Sequence, residues 1–377
     1  MHDPFPLPPP TFLVSATQPL AASLSLPTLP LHIHELLLAT LSYHLICTYL
    51  SPLLSTFLFP SIYPHFPPRT RLNWDVHVVS LLQSLFINAA ALWVMWGDEE
   101  RRSMGWEERV WGYTGAGGMI QGFAAGYFLW DLGICVRNVG VFGWGLLAHA
   151  VAALMVFCLG FRPFVNFYGP TFILYELSSP FLNFHWFFDK LHMTGSRPQW
   201  YNGILLLSSF FCCRLLWGTY QSVRVYQDVW AAMHRDRSLP TYKSQQRVFE
   251  PSAESDEVMR YAGEYVVPMW LAVVYLGSNI VLNTLNFYWF GKMIETIKKR
   301  FTEAKGKKGG KEEKEEGVMV EGLIDSSTLI TEVVEERQVL GNGVLEEHNH
   351  KGNMKTGVID GRNVVEVEST QIRRRKD

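Results

Sequence analysis

The segment Ile173–Phe188 reads ILYELSSPFLNFHWFF. It is greasy enough to sit in a lipid bilayer, yet Glu176, Ser178, Ser179, Pro180, Asn183 and His185 fall in its middle. A charged residue at the centre of a membrane helix costs about 2.5–3.5 kcal/mol on insertion scales. The acid therefore needs a compensating partner, or a surface turned away from lipid. The flanking sequence decides what kind of protein supplies one.

Working outward, apolar runs recur at roughly 34–59, 76–96, 112–132, 139–161, 164–184, 203–223 and 265–290. Each approaches the ~20 residues a helix needs to cross a hydrocarbon core. Backbone amides in lipid allow only helices or closed barrels, and these runs are too long and continuous for barrel strands. The chain thus reads as all-α, a polytopic transmembrane helical bundle of about seven spans. The run at 164–184 is the exception in quality, because Pro170, Pro180 and its polar residues suit a broken or re-entrant helix.

The 377 residues divide sharply into an apolar part up to about Arg300 and a polar remainder. Residues 1–30 are Pro-rich and carry no Lys or Arg, without the basic region of a signal peptide, and read as a disordered arm. Residues 31–68 supply a first transmembrane helix and loop, and 69–300 the main transmembrane domain. Residues 301–377, opening with IKKRFTEAKGKKGGKEEKEEG just before and across the boundary, have the mixed charge and few aromatics of a disordered tail. Lys298, Lys299 and Arg300 abut the last span and place that tail in the cytosol by the positive-inside tendency. The basic residues of the loop at about 224–260 flank the same span and point the other way.

A net charge of −2 leaves no field of one sign for a nucleic acid, so no such partner is expected. The five cysteines lie in or beside spans with no zinc-ligand spacing, and no metal site is read from them. Polar residues instead form stripes at helical spacing: His77, Ser80, Ser84 and Asn88 in one run, Asn279, Asn283 and Asn286 in another. Such faces point into a bundle, as interhelical glue or as the lining of a polar-ended cavity. Gly118, Gly122 and Gly126 form a small-residue seam that lets another helix approach closely. Arg214 lies well inside its span, always carries charge, and needs an acid such as Glu176 or Asp131.

Five stretches in order, RLNWDVHVVSLLQS, GYFLWDL, GLLAHAVAALMVF, ELSSPFLNFHWFF and NTLNFYWFGKMI, resemble the TLC-domain family over about residues 69–300. That group contains the ceramide synthases, translocon-associated membrane proteins and smaller lipid-homeostasis members. Against the ceramide synthase motif, Ala148-His149 stands where two histidines are adjacent. Glu176 keeps the first acid, while Ser179 and Asn183 replace two others. The wording is closer to the smaller members, with their Glu-Leu-Ser-x-Pro-x-x-Asn pattern.

The resemblance implies helices around an apolar tunnel, an endoplasmic-reticulum address and membrane lipids as partners; a homodimer is compatible with it. The functional expectation is a multi-pass protein of lipid homeostasis that binds or senses membrane lipids in an intramembrane cavity, with no cofactor. Asp131, Ser179, Asn183 and Arg214 are its candidate lining. The alternative is a ceramide-synthase-like N-acyltransferase with acyl-CoA as co-substrate, His149 as general base and Glu176 orienting the imidazole. A transporter is weaker, since no inverted repeat is visible.

Overall fold

A computed structural model describes residues 1–235, 257–262, 266–306, 355–359 and 362–366. The chain forms two units, residues 1–326 and 327–377. The first is a helical bundle. Its elements are α1 (Thr11–Leu24), α2 (Leu29–Leu58), α3 (Pro68–Gly97), α4 (Gly115–Arg137), α5 (Val139–Leu159), α6 (Ser179–Lys190), α7 (Arg197–Met233) and α8 (Met269–Gly306). In the second unit, β1 (Lys355–Ile359) pairs antiparallel with β2 (Arg362–Glu366), Lys355 opposite Glu366. The sequence between the strands is Asp360-Gly361, a strong hairpin dipeptide.

Six helices are long and apolar enough to cross a bilayer: Leu29–Leu58, Pro68–Gly97, Trp106–Arg137, Val139–Leu159, Arg197–Met233 and Met269–Lys298. The seventh apolar run is broken, as its prolines suggest. It passes through a 3-10 turn (Asn166–Tyr168), a short helix (Gly169–Ile173) and a second 3-10 stretch (Leu174–Ser178) before α6 begins. Pro170 and Pro180 each sit in the first turn of a helical piece, where a missing N–H costs nothing and φ is already helical.

α4 is the most buried of the spans. Being apolar all round, it belongs at the centre of a bundle and not at its rim. Thr114 caps it by accepting from the Gly117 N–H. The glycine seam faces α2: a Cβ on Gly118 would meet the His32 ring, one on Gly122 the Glu35 carboxylate, and one on Gly126 the Leu36 carbonyl. The approach is close enough for Thr40 Oγ1 to donate to the Gly126 carbonyl at 2.8 Å. Elsewhere the outer surface carries large apolar side chains such as Phe57 and Trp96, both 81% exposed, and Trp144, 76% exposed. In water such a surface would aggregate; in a bilayer it is the lipid face.

Two expectations change. The first thirty residues are not a featureless arm: they contain α1, which packs on α2, and the Met1 amine reaches the carboxylates of Asp98 and Glu100. Prolines had argued against order there, yet Pro10 precedes the helix and Pro19 is accommodated within it. Of the tail at 301–377, the described part is the end of α8 and the β1–β2 hairpin; the rest, like most of the basic loop at 224–260, lies outside the described residues.

The polar stripes turn inward. Along α3, His77, Ser84 and Asn88 are buried, and Asp75 ties α3 to α2 by accepting from Ser51 Oγ (2.6 Å) and Tyr63 Oη (3.0 Å). Trp74 Nε1 donates to Ser55 Oγ at 2.8 Å beside it. The Asn-Trp-Asp stretch is thus a helix-to-helix clamp.

Candidate functional site

The broken segment explains its own acid. The 3-10 stretch Leu174–Ser178 and the start of α6 present Glu176, Ser178 and Ser179 to one neighbour, Arg214 of α7. Arg214 lies in a π-helical stretch of α7, Phe211–Trp217, the kind of widened turn that re-aims a side chain. Its Nε donates to Ser178 Oγ (2.9 Å), Nη2 to Ser179 Oγ (3.1 Å) and Nη1 to Asn286 Oδ1 of α8 (3.1 Å). Glu176 Oε1 stands 3.6 Å from Nη2, and Ser179 Oγ donates to Glu176 Oε2 at 2.6 Å. The guanidinium also lies 5.1 Å from the Phe210 ring centroid. A desolvated ion pair holds only when its remaining polar atoms are hydrogen-bonded, and here three helical elements supply those bonds.

This cluster closes one side of a cavity of about 30 Å³ whose walls are otherwise apolar. His149, Glu176, Arg214 and Asn279 are its polar lining, with Phe128, Phe157 and Phe172 among the apolar walls. The size is that of one or two water molecules, far narrower than the tunnel the family resemblance implies. His149 projects from α5 between Phe128 and Trp289, its ring centroid 6.4 Å and 5.5 Å from theirs. Its Nδ1 is buried with no hydrogen-bond partner among the described residues. Upstream, Gly143 (φ 75°) kinks α5, a backbone conformation that favours glycine.

The candidate residues therefore separate. His149, Glu176 and Arg214 converge on one cavity, and Ser179 stands between the last two. Asp131 is buried in α4, but its hydrogen-bond contact is the Cys135 thiol at 3.9 Å, and no ion pair among the described residues joins it to Arg214. Asn183 is a tie between α6 and α3: its Oδ1 meets His77 Nδ1 at 2.7 Å and its Nδ2 donates to Ser80 Oγ at 3.1 Å. Nor does Glu176 orient the imidazole of His149, since its oxygens engage Ser179 and Arg214.

Two constellations escaped the sequence reading. Asp228 of α7 accepts a two-point pair from Arg109 (2.7 Å and 2.7 Å) and a hydrogen bond from Tyr168 Oη (2.6 Å). His32 and Glu35 lie fully buried at the start of α2. Both sit at span ends, where charge looks ordinary, and their partners are remote in sequence. The one available signal was the i, i+3 pair in LHIHELL.

With this geometry in hand, likeness to known proteins is informative. The TLC domain pattern matches residues 73–295. The chain belongs to the TLC-domain family. It is similar to a TLC domain-containing protein of Schizosaccharomyces pombe described as uncharacterised, with 35% identity covering 77% of this chain and 87% of that one. Topoisomerase I damage affected protein 4 of Saccharomyces cerevisiae is 29% identical over 71% of this chain and 85% of its own. TLC domain-containing protein 4 of Homo sapiens is 31% identical over 39% of this chain and 56% of its own. These relatives are TLC domain-containing proteins and not ceramide synthases, in keeping with the altered acids of the ceramide synthase motif. Family and helices together make the chain an integral, multi-pass membrane protein.

Proposed function

We propose that this protein acts in lipid homeostasis, at the endoplasmic reticulum, by binding or sensing a membrane lipid at the cavity between α4, α5, the 3-10 stretch and α8. The observation that carries the proposal is the pairing of apolar walls with one polar end made by His149, Glu176 and Arg214. An acyl chain suits the walls, and a headgroup donor suits the imidazole nitrogen that lacks a partner. The cavity's small volume favours sensing over storage, because a chain can enter only as α5 and α8 part. Occupancy is then coupled to helix separation. The acyltransferase reading is less well supported, since the acid that should orient the base is held by Arg214 and Ser179.

The test is to purify the full chain in mild detergent and identify retained lipid by native mass spectrometry. A non-covalent phospholipid that His149→Ala exchanges for another class is the expected result. A covalent acyl adduct, a released acyl-amide product, or retention no greater than that of an unrelated membrane protein would overturn the reading.

A further inference from the structure

A second polar centre lies away from the Arg214 cluster, where the N-terminal residues cross the beginning of α2. His32 Nδ1 is 2.7 Å from Glu35 Oε2 and 3.5 Å from Asp3 Oδ2, and the three ligand-capable atoms lie within 4.8 Å of one another. His32 and Glu35 are completely buried, and Glu35 Oε1 has no hydrogen-bond partner among the described residues. On the far side of the ring, His32 Nε2 is 2.6 Å from Tyr113 Oη. A cavity of about 240 Å³ opens beside Asp3, His32 and Tyr113.

We propose that Asp3, His32 and Glu35 form a binding site for a single divalent transition-metal ion of the Zn2+ type, with water from the adjoining cavity completing its coordination.

The chemistry of the donor set supports this in four ways. One imidazole nitrogen and two carboxylate oxygens suit a borderline cation such as Zn2+, whereas Mg2+ and Ca2+ favour oxygen alone. With bonds of about 2.0–2.2 Å, ligand atoms around a tetrahedral ion stand roughly 3.3–3.5 Å apart, so Asp3 is already placed and Glu35 need withdraw by less than an ångström. Metal-bound histidines commonly donate their other ring N–H to a fixed partner, which sets the tautomer; Tyr113 Oη is positioned to accept it. Finally, two carboxylates in a dry site repel one another unless a cation lies between them. The neighbouring cations are engaged elsewhere: the Met1 amine with Asp98 and Glu100, Arg260 over the Tyr261 ring. The fit of α2 against Gly118 and Gly122 holds His32 and Glu35 in place without side-chain freedom. A bound ion would fasten the N-terminal segment to α2.

The full chain in detergent, stripped with a chelator and dialysed against Zn2+, should retain about one ion per chain by elemental analysis. Its unfolding temperature should rise with Zn2+ and not with Mg2+. Glu35→Gln and His32→Gln should abolish retention, and Tyr113→Phe should weaken it by about tenfold. Should either buried variant fail to fold, Asp3→Asn, on the partly exposed N-terminal segment, carries the test and should weaken binding by at least about tenfold. X-ray absorption should show nitrogen and oxygen neighbours only. Wild-type protein that retains no stoichiometric ion, retention unchanged in Asp3→Asn, or a sulfur neighbour assigning the ion to a cysteine would each overturn the proposal.

Discussion

Ser179 Oγ sits between Arg214 and Glu176, accepting from the guanidinium at 3.1 Å and donating to the carboxylate at 2.6 Å. The ion pair itself is long, 3.6 Å, so the hydroxyl is part of the contact and not a bystander. Arg214→Leu should strand a buried acid and destabilise the bundle by about 3–5 kcal/mol. Glu176→Gln added to it should recover a measurable part of the loss. Asp131→Asn should add independently, within about 0.5 kcal/mol. Thermal unfolding of the double-mutant cycle in detergent decides between the two acids; coupling to Asp131 and none to Glu176 would reverse the assignment.

The glycine seam predicts opposite signs on one helix. Gly126→Ala places a Cβ against the Leu36 carbonyl and Ala39, and backbone cannot step aside as a flexible side chain can. It should cost about 1–3 kcal/mol. Gly133→Ala, with nothing within 4 Å of the new Cβ, should be neutral or stabilising by up to about 1 kcal/mol. Equal losses from both would mean that α2 does not seat on α4 here.

Asp228 accepts from both Arg109 and Tyr168, joining α7 to two short elements at one end of the bundle. Asp228→Asn should therefore cost about 3 kcal/mol, and Tyr168→Phe about 1 kcal/mol. If urea unfolding in detergent ranks the two the other way round, the charged pair is not the principal tie.

How much of this was legible beforehand follows from the range of the interactions involved. The spans could be read because each depends on a continuous local run, and the break at 164–184 because Pro170 and Pro180 act on their own backbone. The stripe on α3 pointed inward for the same reason, with period and polarity both local. The choice between Glu176 and Asp131 was not legible, since both are acids at comparable depth and only the packing of α7 against the 3-10 stretch distinguishes them. The helix at Thr11–Leu24 was hidden by composition: prolines at 10 and 19 argue against order until α2 supplies a surface to dock on. The meeting of Asp3 with His32 was likewise invisible, because no spacing rule links residues that only the chain's return brings together.

A chain ended after Gly306 should remain folded and membrane-integrated. The TLC match stops at residue 295 and the second unit begins at Ser327. Monodisperse elution of the shortened protein in detergent, with an unchanged unfolding temperature, is the expected result; aggregation comparable to that of a misfolded control would contradict it.

The widened stretch Phe211–Trp217 gives α7 two helical phases. Before it, Leu206 and Phe210 pack into one cluster with Trp289 and Met293; after it, Val225 and Val229 join the main core and Asp228 meets its clamp. The two halves are keyed to different neighbours, and the stretch is the offset between them. Removing a single residue there, even the exposed Cys212, would rotate everything downstream by about 100° around the helix axis. Val225, Asp228 and Val229 would then turn toward lipid. Along this helix, length is constrained more tightly than identity: many substitutions at Cys212 should pass unnoticed, and its deletion should not.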